Sequence, residues 1–329
     1  MTHLNLSESQ LDLLVVVLNY RTANLTIECL RSLVPEMASL PKTHVVVVDN
    51  ASEDGSVEKI EGVISDERWD WVTFMPLSVN GGFAAGNNAP IREAIASKTP
   101  PPYILLLNPD TVVYPGAVRT LLEFMQAHPT VGIAGSRLEF PDGTPQSSAF
   151  RFPSLFSELE DSFRLGFITQ LLKPWRIAPP PPTEQCQTDW VAGASMIVRR
   201  EVFQSSGLMD ERYFLYFEET DFCLQAHRAG WQCWYVPESR VLHYVGQSSG
   251  VTDTRRQPKR VPQYWFDSRH RYFVKNHGWL YAALIDTARI VGFAAWRLRR
   301  AIQSKPDPDP PKLLNDFVRN SIFLRGIQV

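Results

Sequence analysis

Val45–Ser56 reads VVVVDNASEDGS. Four consecutive valines with no polar alternation describe a strand covered on both faces. Asp49 stands at its carboxyl end, a polar turn follows, and a helix is predicted after Ser56. The same unit recurs on either side. Leu13–Leu18 (LLVVVL) reads as a buried strand, followed by helical spacing over 22–33 at Leu25, Cys29 and Leu33. The strand Trp71–Met75, a helix from about Phe83 and the strand Tyr103–Leu107 continue the series. Strands alternating with helices imply right-handed crossovers and a mostly parallel central sheet flanked by helices, the α/β class. Ligands of such sheets sit beyond the carboxyl ends of the strands. The polar clusters fall there: Asn19-Tyr20, Asp49-Asn50 and Asn108-Pro109-Asp110.

The bulk values are permissive. A chain of 329 residues allows about two domains, or one large α/β domain. The net charge of −2 gives nucleic acid no electrostatic reason to bind. Cys29, Cys186, Cys223 and Cys233 are widely spaced and form no C-x-x-C pair, so they read as reduced thiols of a cytoplasmic protein. Met1–Asp12 is polar and lacks a signal-peptide pattern. No apolar run reaches the ~18 residues of a spanning helix.

Prolines punctuate the second half. Pro115 fits the first turn of a helix, Pro141-Asp142-Gly143 marks a turn, 154–172 reads as a helix ending before Pro174, and Pro179–Pro182 is a stiff connector. Trp190–Val198 reads as a strand, Glu218–Ala229 as a helix ended by Gly230, and Trp231–Val236 as a strand. In Leu280–Arg300, Leu280, Leu284, Val291 and Leu298 share one helix face. Asp286, Arg289, Arg297 and Arg300 share the other, with Phe293 among them. Two readings stay open: an apolar face packed on the protein's own core with a solvated polar face, or peripheral contact of 280–300 with an anionic membrane. The latter would put the protein at the inner face of the plasma membrane.

Several strand-end residues carry chemistry. Asp49 would accept from a nucleobase N–H, or it closes an Asx-type turn. Asn80–Asn88 (NGGFAAGNN) lets backbone approach a ligand closely, but it is not a dinucleotide fingerprint. Asp110 ends an apolar strand and suits a hard cation already bound to phosphates, or it is part of an Asn-Pro-Asp turn. Glu218, Glu219 and Asp221 lie beside Tyr213, Phe214, Tyr216 and Phe217, and an apolar surround raises carboxyl pKa values toward those of a general base. Acids at a helix start also serve simply as dipole partners. His243 ends another apolar run and matters only if it meets Asp110. The small residues around Gly193 would shape a sugar pocket or simply pack.

Taken in order, VVVLNYRTANLTIECLRSL, VVVVDNASEDGS, NGGFAAGNN, ILLLNPDT, DWVAGASMIVRREVF, GLMDERYFLYFEETDFCLQAHRAGW and YWFDSRHRYFVKNHG resemble the family-2 glycosyltransferases of the GT-A fold. Within them the likeness is to the rhamnosyltransferase-like branch of bacterial polysaccharide biosynthesis, from about Leu13 to about His277. The resemblance implies a GT-A domain over 1–279, with a donor half at about 12–140 and an acceptor half at about 141–279. A C-terminal amphipathic helix and tail would follow over 280–329. Donor-binding residues would be Asn19, Asp49, Asn80, Gly82, Asn108, Asp110, Gly193 and Arg269, the last toward the phosphates. Asn108 and Asp110 hold the place of the D-x-D motif, with Asp110 and His243 the ligands of Mg²⁺ or Mn²⁺. Glu219 falls at the catalytic base, supported by Glu218 and Asp221.

Three departures stand out. Asn108 replaces the first Asp, Glu219 stands where many members have Asp, and His270 replaces a common Asn. The Q-x-x-R-W signature of processive synthases is missing, which favours single-sugar addition. The expected activity is inverting transfer of a sugar, first dTDP-rhamnose or else another nucleotide sugar, to a glycan or lipid-linked acceptor. A non-catalytic module binding nucleotide sugars or glycans shares Asp49 and the glycine-rich loop but needs no base. A nucleotidyltransferase would show a basic, Gly-rich phosphate loop near its N-terminus, and LNYRTANLT is not one.

Overall fold

The computed structural model describes residues 10–244 and 259–328. Most of the N-terminal stretch and the segment after Tyr244 therefore lie outside the described residues. The strands run β1 Leu13–Asn19, β2 Thr43–Asp49, β3 Val72–Pro76, β4 Tyr103–Leu107, β5 Thr111–Val113, β6 Val131–Glu139, β7 Ala149–Phe150, β8 Cys186–Thr188, β9 Trp190–Val191, β10 Ser195–Arg199 and β11 Gln232–His243. The helices are α1 Ala23–Ser39, α2 Ser56–Asp66, α3 Gly82–Ala96, α4 Ala117–Ala127, α5 Leu155–Phe163, α6 Gly166–Leu172, α7 Arg200–Ser206, α8 Glu218–Arg228, α9 Gln263–Ile302, α10 Leu313–Arg319 and α11 Ile322–Arg325.

The chain forms two compact units. Unit 1 holds residues 1–150, 180–214 and 218–248; unit 2 holds 151–179, 215–217 and 249–329. This grouping differs from the expected split at 279/280, because α5 packs on α9, and α6 on α5, rather than on the sheet.

In unit 1, nine strands form one sheet among the described residues, in the order β3-β2-β1-β4-β10-β6-β11-β5, with β8 on β11. β1 pairs in parallel with β2 and β4, and β2 with β3. All seven residues of β1 are buried, as the unbroken apolar run requires of a strand covered on both faces. β10 and β5 are antiparallel, which makes the sheet mixed though mostly parallel. Register decides what meets at its edge. Asn19 lies opposite Asp49, Ser195 opposite Leu107, and His243 opposite Thr111. The carboxyl ends of β1, β2, β4 and β11 therefore gather with the amino ends of β10 and β5 on one rim.

Several elements differ from expectation. α1 runs on through Pro35 to Ser39. The predicted strand 190–198 is interrupted by Ala192–Ala194, leaving β9 and β10 in different sheets. The predicted helix 154–172 breaks where Arg164 is left-handed (φ 48°). β11 runs to His243, with register shifts against β6 that deliver its last residues beside β5.

Unit 2 is helical, and its interior is charged and aromatic. Arg269 and Arg289 both stack on Phe317, at 5.6 and 4.9 Å. Arg269 bonds Asp286 at 2.6 Å and Glu158 at 3.2 Å, and Asp286 also accepts from Ile322 N at 2.7 Å. α9 breaks at Gly278 (φ 80°, ψ 169°). It approaches α5 so closely at Gly292 that a Cβ there would lie 2.2 Å from Ser162 Oγ.

The sidedness of 280–300 corrects the core-packing reading. Asp286 and Phe293 are buried and Arg289 is ion-paired inside, whereas Leu280, Leu284, Val291 and Leu298 are 53–66% exposed. The buried charges are satisfied by Glu158, Asp161 and aromatic faces, so the polar side packs inward. Among the described residues, no helix is long and apolar enough to cross a membrane. All four cysteines are free thiols.

Candidate active site

The rim of the unit 1 sheet carries three linked constellations. The first joins the ends of β1 and β2. Asn19 Nδ2 donates to Asp49 Oδ1 at 2.6 Å, and its Oδ1 accepts from Thr26 Oγ1 at 2.8 Å. Ser52 donates to Asp49 through its N–H (2.9 Å) and its Oγ (2.6 Å). The Asx-type closure is thus present, and Asp49 is only 1% exposed. The turn carries Ala51 and Glu53 with φ of 56° and 52°, conformations non-glycine residues hold only when the surroundings fix them. Next door, Asn50 Nδ2 bridges Asn80 Oδ1 (2.9 Å) and Gly82 O (3.1 Å). The buried Asn50 Oδ1 has no hydrogen-bond partner.

The second constellation is the glycine-rich loop against α8. Gly82 has φ +85°, and a Cβ there would lie 2.0 Å from Phe214 O, so only glycine fits. Phe83 N–H donates to the same Phe214 oxygen at 2.9 Å. A Cβ on Gly193 would meet the Phe83 ring at 3.1 Å and Glu219 Cβ at 3.9 Å. Gly193 therefore keeps the loop helix α3 and the acids of α8 in contact. Asn108 N–H donates to Ala194 O at 2.9 Å, which attaches the end of β4 to the same place.

Glu218 and Asp221 are each 2% exposed. Burial, and then the neighbouring Glu219 charge, push the Glu218 carboxyl well above the usual range. Burial also raises Glu219, opposed by its own N–H and those of Gly193 and Thr220. Two adjacent buried carboxyls resist ionising together. Glu219, with three backbone donors, is the better carboxylate of the two, and Glu218 the better holder of a proton. Both Oε2 atoms are buried without a hydrogen-bond partner. Tyr216 and Phe217, immediately before α8, are left-handed at φ 70° and 69°.

The third constellation is Asp110, His243 and Gln146. His243 Nε2 lies 3.4 Å from Asp110 Oδ1, longer than a good hydrogen bond. Gln146 fixes the ring. Its Nε2 donates to Glu139 O (2.9 Å) and His243 O (2.7 Å), so its Oε1 must be the atom 3.1 Å from His243 Nδ1. Nδ1 then carries a proton, so that in the neutral tautomer the Nε2 lone pair faces the Asp110 carboxylate. A lone pair and a carboxylate aimed at each other suit a cation between them. Two ligands of one ion at ~2.1 Å each stand about 3 Å apart. Among the described residues no group of three or more His, Cys, Asp or Glu is placed to hold a metal, so the donor set is lean.

Of the sequence-derived residues, the rim collects Asn19, Asp49, Asn80, Gly82, Asn108, Asp110, Gly193, Glu218, Glu219, Asp221 and His243. Arg269 belongs to unit 2, where two carboxylates already neutralise it. That double ion pair leaves no free charge on it for donor phosphates. Ser52 was legible as the fourth residue of D-x-x-S turn chemistry. Gln146, in PDGTPQSS, carries no sequence signal.

The family model for glycosyl transferase family 2 matches residues 14–182, and that for glycosyl transferase family group 2 matches 103–302. The chain belongs to glycosyl transferase family 2 and is rhamnosyltransferase-like. It is 29% identical over 256 residues to the N-acetylglucosaminyl-diphospho-decaprenol L-rhamnosyltransferase of Mycobacterium tuberculosis, covering 74% of this chain and 79% of that one. It is 29% identical over 170 residues to rhamnosyltransferase WbbL of Escherichia coli, covering 50% and 61%. The mannosyltransferase PcManGT of Pyrobaculum calidifontis, solved with GDP-Man and Mn²⁺, superposes with a TM-score of 0.57 at 15% identity over 98% of this chain and 89% of its own. S. aureus TarS 1–349 with UDP-GlcNAc does so at 0.54 and 13%, over 94% and 82%. These likenesses show the GT-A-type fold.

Proposed function

We propose that the chain is an inverting, single-addition transferase. It would move a sugar, first rhamnose, from a nucleotide diphosphate donor to a hydroxyl of a glycan or lipid-linked glycan. The observation that carries this reading is the buried Glu218–Glu219 pair held against Gly193, on the same rim as Asp110 and His243. Glu219 takes the proton of the acceptor hydroxyl, whose oxygen attacks the anomeric carbon opposite the diphosphate. Glu218, protonated, spares Glu219 a second adjacent charge, and Asp221 supports the pair. The Asn19–Asp49 and Asn50–Asn80–Gly82 networks form the nucleoside side, where the unpaired Asn50 Oδ1 awaits a donor.

Mg²⁺ or Mn²⁺ at Asp110 and His243 would act as a Lewis acid for the leaving diphosphate. The charge of the unit agrees with that need: unit 1 carries 14 Lys and Arg against 26 Asp and Glu, a formal −12, and an anionic donor requires a countercharge there. The choice of rhamnose and of a lipid-linked acceptor rests on the names of the M. tuberculosis and E. coli relatives.

A Glu219→Gln protein should bind donor normally and lose roughly 10²–10⁴-fold in transfer. Near-full transfer by that variant would remove Glu219 from the role. Loss of transfer in EDTA, restored by Mn²⁺, tests the metal. Thermal stabilisation across a panel of nucleotide sugars tests the donor. Donor binding with no transfer or hydrolysis under any condition would favour the non-catalytic reading.

A further inference from the structure

We infer that unit 2 docks on an anionic lipid surface through the outward stripe of α9. Leu280, Leu284, Val291, Leu298 and Ile302 are 53–76% exposed, and Trp279 at the start of the stripe is 56% exposed. Their steps of four and seven residues keep them on one side for about 33 Å of helix. The helix is inverted relative to an ordinary surface helix, whose apolar side faces its own core. Here the core side already holds Ala282, Ile285 and Phe293 together with Asp286, Arg289 pairs at its edge, and Gly292 is jammed against Ser162, which leaves no inward room for the leucines. Rotating α9 to bury its leucines would break the Arg269–Asp286 and Arg289–Asp161 pairs. The apolar side therefore stays outward.

Charge identifies the occupant. Unit 2 carries 19 Lys and Arg against 9 Asp and Glu, a formal +10, beside −12 in unit 1. Such asymmetry within one chain points to an anionic surface as partner. The Arg residues of α9 are consumed internally: Arg297 and Arg300 pair with Asp307, and Arg299 donates to the carbonyls of Phe163 and Arg164. Among the described residues, exposed Lys173, Lys305 and Lys312 stand in no salt bridge, though Lys312 also acts on Asp316, and Lys305 lies just beyond the end of the stripe. Phe167 and Leu171, one turn apart on α6, add exposures of 71% and 69%. An apolar stripe on a basic unit lies in the headgroup layer rather than across the bilayer.

The inference does not depend on the proposed reaction and is tested without it. The full chain is sedimented with vesicles of phosphatidylcholine alone, and of phosphatidylcholine with phosphatidylglycerol, at ~0.1 M and ~1 M salt. Binding is expected to the anionic vesicles at low salt and to fall at least about tenfold on neutral vesicles or at high salt. The exposed pair Leu284→Gln/Val291→Gln should lose binding about tenfold or more with an unchanged melting temperature. Lys173→Gln/Lys305→Gln/Lys312→Gln should lose it only on anionic vesicles. No binding by the native chain, or equal binding by the Gln pair, would overturn the inference. So would a dimer in light scattering that the Gln pair dissolves while vesicle binding persists; that result would assign the stripe to a second copy of the chain.

Discussion

Replacing Gln146 with Leu should separate the proposed metal site from the fold around it. Gln146 is 6% exposed and makes three hydrogen bonds: two donated to the carbonyls of Glu139 and His243, and one accepted from His243 Nδ1. At about 1 kcal/mol each, their loss costs about 3 kcal/mol of stability, read as a lower midpoint in urea. The second effect is on the ring. Without an acceptor at Nδ1, His243 is free to place its proton on Nε2, where it turns a donor rather than a lone pair toward Asp110. Loss of such an orienting partner lowers metal affinity roughly 10- to 100-fold. Calorimetric titration with Mn²⁺ measures this, and ¹⁵N shifts of the His243 ring report the tautomer directly. Gln146→Glu separates the two effects. It keeps an acceptor for Nδ1 but loses both donors, so it should be destabilised while retaining most of the Mn²⁺ affinity. A native protein whose His243 carries its proton on Nε2, or a Leu variant with native Mn²⁺ affinity, would refute the reasoning.

Three further outcomes are expected. Gly82→Ala puts a Cβ 2.0 Å from Phe214 O at a positive φ; strain and overpacking together should cost about 3 kcal/mol and weaken donor binding, as seen by denaturant unfolding and donor titration. Glu218→Gln tests the buried pair through pH. Because burial raises the folded-state pKa of Glu218, its contribution is most favourable below the ordinary carboxylate range. That contribution is lost as pH rises from there through the raised folded pKa. The variant should therefore gain stability relative to the native chain with rising pH, and a constant difference from acid to neutral pH in thermal melts would contradict this. Asp286→Ala leaves Arg269 with Glu158 alone and removes the acceptor of Ile322 N; a loss of about 3 kcal/mol is expected, with a loss below 1 kcal/mol arguing that the pair is solvated.

Residue order alone was enough to set the central sheet and its polar rim. Unbroken runs such as LLVVVL and VVVV require burial on both faces, and parallel strands so buried place their polar carboxyl ends side by side. Asn19, Asp49 and Asp110 were legible for that reason, as were the clustered acids of α8. Tertiary structure decided the rest, because the deciding contacts are remote in the chain. Gln146 and His243 are 97 residues apart, and no local pattern announces that one sets the tautomer of the other. Gly193 matters through Phe83 and Glu219, which periodicity does not bring together. The outward leucines of α9 followed from partners in other helices: Glu158, Asp161 and Phe317 receive its inward charges, while Ile285 and Phe293 fill the apolar space beside them. Periodicity shows that a helix has two faces; only the surrounding unit decides which one it buries.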